Sequence, residues 1–160
     1  MPISMTTVIA KMATIMREIV PTIQVYSTTE SGLGGLPEAL MPTPAVVLMP
    51  GPTLAYIQDA SQHQRHEYEV RAHVFASQTT MISAVGIAAA MGYVETLIDK
   101  FAENLRLTWD PDELEGVQAY VRFSRQDGLQ RLDWSGTEFF GWVCTFYVRE
   151  DAIKEFKLGG

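Results

Sequence analysis

The side chains in this sequence best suited to metal binding or nucleophilic chemistry are three histidines and a single cysteine. His63 and His66 are spaced H-x-x-H, and Glu67 follows. A zinc protease needs both histidines on one helical face with a glutamate between them. Here the pair enters a strand-like stretch, where residues three apart point to opposite faces. A closed zinc site takes four ligands, and no cysteine cluster is present to supply them. Asp110-Pro111-Asp112-Glu113 offers carboxylates to a magnesium ion but lacks the glycine and the spacing of a calcium loop, so it reads as an acidic turn. Cys144 lies in the most apolar stretch of the chain, where a thiol is an inert core group. No G-x-S-x-G elbow is present. Gly32–Gly35 lacks the lysine-serine/threonine end and the following helix of a phosphate loop. The residues therefore present no catalytic constellation. The expectation is a protein that is not an enzyme and holds no cofactor or metal.

Charge narrows the partners. The formal net charge is -7 and the sequence pI is about 4.9. Arg65, Arg71, Arg122, Arg125 and Arg131 can be gathered by strands onto one surface, but acids outnumber them, which argues against a nucleic-acid groove. Apolar residues make up 47% of the chain and charged residues 19%, a globular composition. A length of 160 residues suffices for one domain with its own core. The lone cysteine gives no internal disulfide and no argument for an oxidising compartment. Met1–Val20 carries Lys11, Arg17 and Glu18 within a helical pattern and has no secretory h-region. The apolar run Met81–Val94 falls short of the roughly 20 residues of a membrane span. The reading is a soluble protein made in the cytoplasm, with no membrane partner.

The elements that must carry these residues centre on His66–Leu105. His66–Ser77 alternates, with Tyr68, Val70, Ala72, Val74 and Ala76 on one face, and predicts a strand. Thr79–Leu105 shifts to helical spacing (Ile82, Val85, Ala89, Tyr93, Leu97, Phe101), with Thr79 or Thr80 as N-cap. Gly86 and Gly92 within it suggest close approach to a neighbour, or a kink. Before this unit, Ser4–Ile19 predicts a helix with Val8, Met12, Ile15, Met16 and Ile19 on one stripe. Thr22–Thr28 predicts a strand, Thr29–Pro44 a long loop, and Ala45–Met49 a short apolar strand ended by Pro50-Gly51-Pro52. Thr53–Arg65 reads as a second loop or hairpin arm. After it, Gly116–Arg125, Leu129–Trp134 and Thr137–Val148 predict strands separated by turns at Gln126-Asp127-Gly128 and Ser135-Gly136. The last strand is apolar on both faces, which fits either a central strand or a subunit interface. The fold class is thus α+β: a mostly antiparallel sheet packed against an N-terminal helix and one long central helix. Residues 1–150 form a single domain with long loops at 29–44 and 53–65, and 151–160 form a C-terminal tail.

Three parts of the chain together resemble the tail-terminator (tail completion) and related minor tail proteins of long-tailed bacteriophages. One is the strand and its closure, Pro44-Ala45-Val46-Val47-Leu48-Met49-Pro50-Gly51-Pro52. Another is His66–Phe75 running directly into the long helix. The third is the hairpin Leu132–Val148 with its core Gly136-Thr137-Glu138-Phe139-Phe140-Gly141-Trp142. The resemblance implies a virion structural protein at the head-proximal end of the tail. It implies a homo-oligomeric ring, a hexamer, that caps the tail tube, stops its polymerisation and joins a head-proximal connector or stopper protein. DNA would pass through the lumen without specific binding. The alternative within assembly is another neck or minor tail component; outside it, a small ligand-binding domain or enzyme. The residues expected at a subunit or tail-tube interface are Tyr56, Ile57, Arg65, Phe75, Phe139, Trp142 and Tyr147. The longer first loop, the glycines of the second helix and the extra tail depart from the family's pattern.

Overall fold

The computed structural model describes residues 5–27, 43–58, 63–103, 105–107 and 117–153. Most of them belong to one mixed sheet. Its strands are β1 (Gln24–Ser27), β2 (Ala45–Gln58), β3 (His63–Gln78), β4 (Leu105–Leu107), β5 (Val117–Trp134) and β6 (Thr137–Ile153). The spatial order is β1-β2-β3-β6-β5-β4. β1 runs parallel to β2, and every other pairing is antiparallel. Among the described residues there are also two helices, α1 (Met5–Ile19) and α2 (Ala84–Lys100).

This corrects the expected fold class. The described residues form a large mixed sheet with two short helices, not a sheet backed by one long central helix. The stretch Thr79–Leu105 is cut at both ends. Thr79 N–H still bonds the Glu138 carbonyl at 3.0 Å, continuing the sheet, and Met81 N–H closes a turn onto Gln78. The cap is Ser83, whose hydroxyl accepts from Gly86 N–H at 3.0 Å. At the far end Phe101 N–H bonds the Leu97 carbonyl, and its own carbonyl accepts from Phe123 N–H, so the chain turns into β4. α2 faces the core through Ile87, Ala90, Tyr93, Val94, Leu97 and Ile98, and at Gly86 it comes close enough to β3 that a Cβ would lie 3.0 Å from the Ala76 carbonyl oxygen. Ile82, Val85 and Ala89, which share the expected stripe, are exposed.

α1 follows its pattern more closely. Val8, Ile9, Met12, Ala13 and Met16 are fully buried. Arg17 donates through Nε and Nη2 to the Val25 carbonyl, at 3.2 and 2.7 Å, tying the helix to β1. The same helix shares a cavity with β4 at the other end of the sheet order, so the sheet curls around it. Bulges help this bend, since each adds local twist. Register shifts fall between Pro50 and Ala55, Phe75 and Ser77, Phe123 and Arg125, and Asp127 and Gln130.

Two of these shifts replace expected breaks. Pro50-Gly51-Pro52 does not end its strand; it forms a bulge, and β2 continues to Gln58. Gly51 is required there, because a Cβ would lie 2.8 Å from the Glu69 carbonyl oxygen. Gln126-Asp127-Gly128 is likewise a bulge inside one long β5. Of the two forms expected for 53–65, loop or hairpin arm, its described residues take the second, as the paired arm of the β2–β3 hairpin. Ser135-Gly136 does make the two-residue turn, with φ of 52° and 84°. Residues 151–153 of the expected tail belong to β6, while the rest of the tail, most of the 29–44 loop and Asp110–Glu113 lie outside the described residues.

The inner face of the sheet and the helices enclose the main core. It includes Val46, Leu48, Tyr68, Val70, Ala72, Val74, Trp142, Cys144, Phe146 and Val148. The outer face carries a second, smaller cluster of Ala45, Val47, Phe75, Leu132 and Phe139. β6 is apolar on both faces because it is central, flanked by β3 and β5.

Candidate functional site

Beyond the second cluster, the outer face becomes a ladder of charge. Alternation puts Arg65, Glu67, Glu69 and Arg71 of β3 beside Tyr147, Arg149 and Asp151 of β6, and these beside Tyr120, Arg122 and Arg125 of β5. Asp151 takes Arg65 Nε at 3.0 Å on Oδ1. Arg149 Nε lies 3.0 Å from Oδ2, an ion pair whose N–H is turned away from the oxygen. Glu69 lies 3.4 Å from Arg71 and 3.5 Å from Arg125. The guanidinium of Arg122 lies 5.3 Å from the Tyr147 ring centroid, and that of Arg149 lies 5.1 Å from the Tyr120 centroid. Burial, then a hydrogen bond with Glu67, raises the Tyr147 phenol above its usual range. Of the arginines expected on one surface, Arg65, Arg71, Arg122 and Arg125 do meet here. Arg131 is on the other face, 3.9 Å from Glu138. A face whose cations are already matched by carboxylates and rings has little free charge to hold a polyanion.

At the arm end of the inner face, a hydroxyl, an imidazole and a carboxylate fall in line. Thr53 Oγ1 lies 3.1 Å from His66 Nε2, and His66 Nδ1 lies 4.0 Å from Glu150 Oε2. The Tyr56 ring meets the imidazole edge-on at 5.8 Å. Acyl transfer through such a line needs hydrogen bonds on both sides of the imidazole. Here the carboxylate is beyond hydrogen-bond distance from it and is engaged by Tyr68 OH, which donates to Glu150 Oε1 at 2.5 Å. The cluster fastens the arm to β6. The His63 side chain is outside the described atoms, and no group of three or more potential metal ligands occurs among the described residues.

Glu150 is only 6% exposed. Burial raises its pKa, and the Tyr68 hydrogen bond offsets part of that rise. Because the folded pKa lies above the unfolded one, ionisation of Glu150 opposes folding. The penalty is absent below the ordinary carboxylate range, grows as pH rises above it, and is complete above the folded value. Glu150→Gln keeps an oxygen to accept from Tyr68 and removes the charge. The variant is expected to melt higher than the parent at pH 7, with the gap closing near pH 4. Thermal unfolding across that range checks it, and a lower midpoint at pH 7 would mean that the charged hydrogen bond outweighs the burial.

The residues expected at an interface are not gathered together. Phe75, Phe139 and Trp142 are buried within the chain. Phe75 packs edge-on against Phe139 at 5.3 Å and Trp134 at 5.9 Å. Arg65 and Tyr147 sit in the outer ladder, Tyr56 is exposed on the arm, and the Ile57 backbone pairs with Arg65. Cys144 is buried, and burial together with Asp127 pushes its thiol up to about 12, so it is unreactive. Burial and Arg71 lower the pKa of His73, which stays neutral at pH 7.

Sequence reasoning missed two other surfaces. One is the exposed apolar start of α2, where Val85 is 81% and Met81 74% exposed, with Ile82 between them. Its helical spacing looks like core; only the positions of the caps reveal otherwise. The other is a groove between α1 and β4. The alternation Leu105-Arg106-Leu107 was the signal for that strand, but it is short and follows a helix directly. No protein-family model matches the chain, and no curated protein sequence matches it.

Proposed function

We propose that this chain is a virion assembly protein of the tail-terminator type, one segment of a ring that caps a tail tube and meets a head-proximal connector. One observation carries the reading: two exposed apolar patches lie at opposite ends of the sheet. Leu54 and Tyr56 mark the arm end, and Met81, Ile82 and Val85 mark the other. From His66, opposite Tyr56, to Gln78, just before the helix patch, β3 spans roughly 40 Å. Distinct patches far apart suit a heterologous contact, in which one end of a copy meets the other end of the next. Contacts of that kind close into rings when the rotation permits. The small exposed residues Ala88, Ala89 and Gly92 continue the helix patch and let a neighbouring backbone come near. The internally paired outer ladder and the net acidity are compatible with a lumen that DNA passes without being held.

Light scattering combined with negative-stain imaging tests this, with purified tail tubes added to supply the template. The expected result is rings, free or on tube ends. A strict monomer with no affinity for tubes would sink the reading. Val85→Glu places a charge on a side chain that this chain itself does not bury. It is expected to leave the monomer's melting within about 0.5 kcal/mol of the parent while weakening ring formation at least tenfold. Rings of unchanged stability would remove the helix patch from the interface.

A further inference from the structure

We propose that the groove between α1 and β4 binds an extended acidic peptide segment of a partner protein, added to the sheet as a further strand. The cavity measures about 400 Å³, within the range of pockets that hold ligands. Leu105, Arg106 and Leu107 all line it. Successive strand residues point to opposite faces, so a cavity touched by three in a row lies along the strand's edge. Among the described residues β4 is the terminal strand of the sheet and pairs with β5 alone, so its other edge lies along the groove. A peptide laid there gains main-chain hydrogen bonds from the edge, and its side chains find alternating environments.

The lining specifies the peptide's chemistry. Ile15 and Ile19 of α1 and Leu105 of β4 are partly buried and pack on the main core, giving an apolar floor. Lys11, Lys100 and Arg106 surround it, from three different elements. None of the three has an ion-pair partner among the described residues. That is unusual in a chain of net charge -7, where the outer-face arginines are matched. A cation on an edge strand alone would serve to repel other edges. Lysines converging from two helices onto the same edge serve no such purpose, and they complement carboxylates on an incoming strand. Glu18 is the one acid among the described lining residues, so the peptide should place a neutral residue beside it.

The test uses a short fluorescein-labelled peptide alternating glutamate and valine, titrated with the intact protein and read by fluorescence anisotropy. The expected result is saturable binding that weakens with salt, as screened charge pairs require. The same peptide with lysine for glutamate, or with N-methylated backbone amides, should bind at least tenfold more weakly. Lys11→Glu combined with Arg106→Glu should weaken the glutamate peptide at least tenfold while circular dichroism stays unchanged, because both side chains project from the core. Glu18→Gln should tighten it severalfold. In isotope-labelled protein, the amide signals of Leu105–Leu107 should move on binding. Failure of the glutamate peptide to bind, equal binding of the lysine peptide, or indifference to the double reversal would each overturn the proposal. A double reversal that dissociates assemblies of this chain would also overturn it, since a second copy would then occupy the groove. Ring formation is read separately, so either reading can fail while the other stands.

Discussion

Gly141→Ala is expected to abolish the soluble fold. A Cβ at this position would lie 2.1 Å from the Val74 carbonyl oxygen and 2.8 Å from Leu132 Cδ1. The leucine can rotate away, but the carbonyl belongs to the backbone of β3, which is paired with β6 along almost its whole length. β6 is also held by β5 on its other side, so neither neighbour can shift without breaking a ladder. Overpacking in a well-packed core costs about 1–3 kcal/mol even when side chains alone must move. A backbone collision in the central strand should exceed that, in a molecule whose total stability is on the order of 5–15 kcal/mol. Soluble yield and urea unfolding report the effect. Gly92→Ala is the matched control: nothing lies within 4 Å of its added Cβ, and it sits in a helix. That change should stabilise by about 0.5–1 kcal/mol. If Gly141→Ala unfolds like the parent, the close approach of β3 and β6 at Gly141 is wrong.

Local periodicity was the legible part of the fold. Tyr68, Val70, Ala72, Val74 and Ala76 do share a buried face, and Val8, Met12 and Met16 do face the core. The Ser135-Gly136 turn was legible because positive φ at both central residues is what a two-residue hairpin needs. What stayed hidden was decided by distant partners. Pro50-Gly51-Pro52 carries every sign of a strand end, yet β3 continues alongside and absorbs the prolines in a bulge. The helix stripe from Ile82 is continuous in sequence, but the hydrogen bonds of Thr79 to Glu138 delay the helix, and its buried face runs through Ile87, Ala90 and Val94 instead, which leaves Ile82, Val85 and Ala89 exposed. The parallel placement of β1 beside β2 leaves no local mark at all. The candidate site suffered most. A bulky aromatic such as Phe75 or Phe139 suits a subunit interface and a second core cluster equally well, and only the pairing of β3, β5 and β6 shows that this chain buries both itself. The groove was missed because no alternation extends far enough to announce β4.

The same ambiguity governs Trp142, and a charge placed there resolves it. Trp142→Glu is expected to unfold the monomer rather than merely disrupt assembly. The indole is 7% exposed on the inner face of β6, opposite Val74 in register. Truncating a buried tryptophan costs about 3–5 kcal/mol through lost transfer energy and the cavity left behind. Glutamate adds a carboxylate in a cluster of apolar side chains, where it must either bind a proton or remain charged without a partner. Together these approach the stability of a typical domain. The near-ultraviolet circular dichroism signal and the cooperative melting transition should both be lost at neutral pH, even in dilute protein with no ring present. Val85→Glu carries the same charge on the opposite kind of site, exposed and on a helix, and should keep both signals. A Trp142→Glu monomer that melts normally but cannot assemble would put the indole at a subunit contact. Its burial against Val74 and the rest of the inner core predicts the reverse.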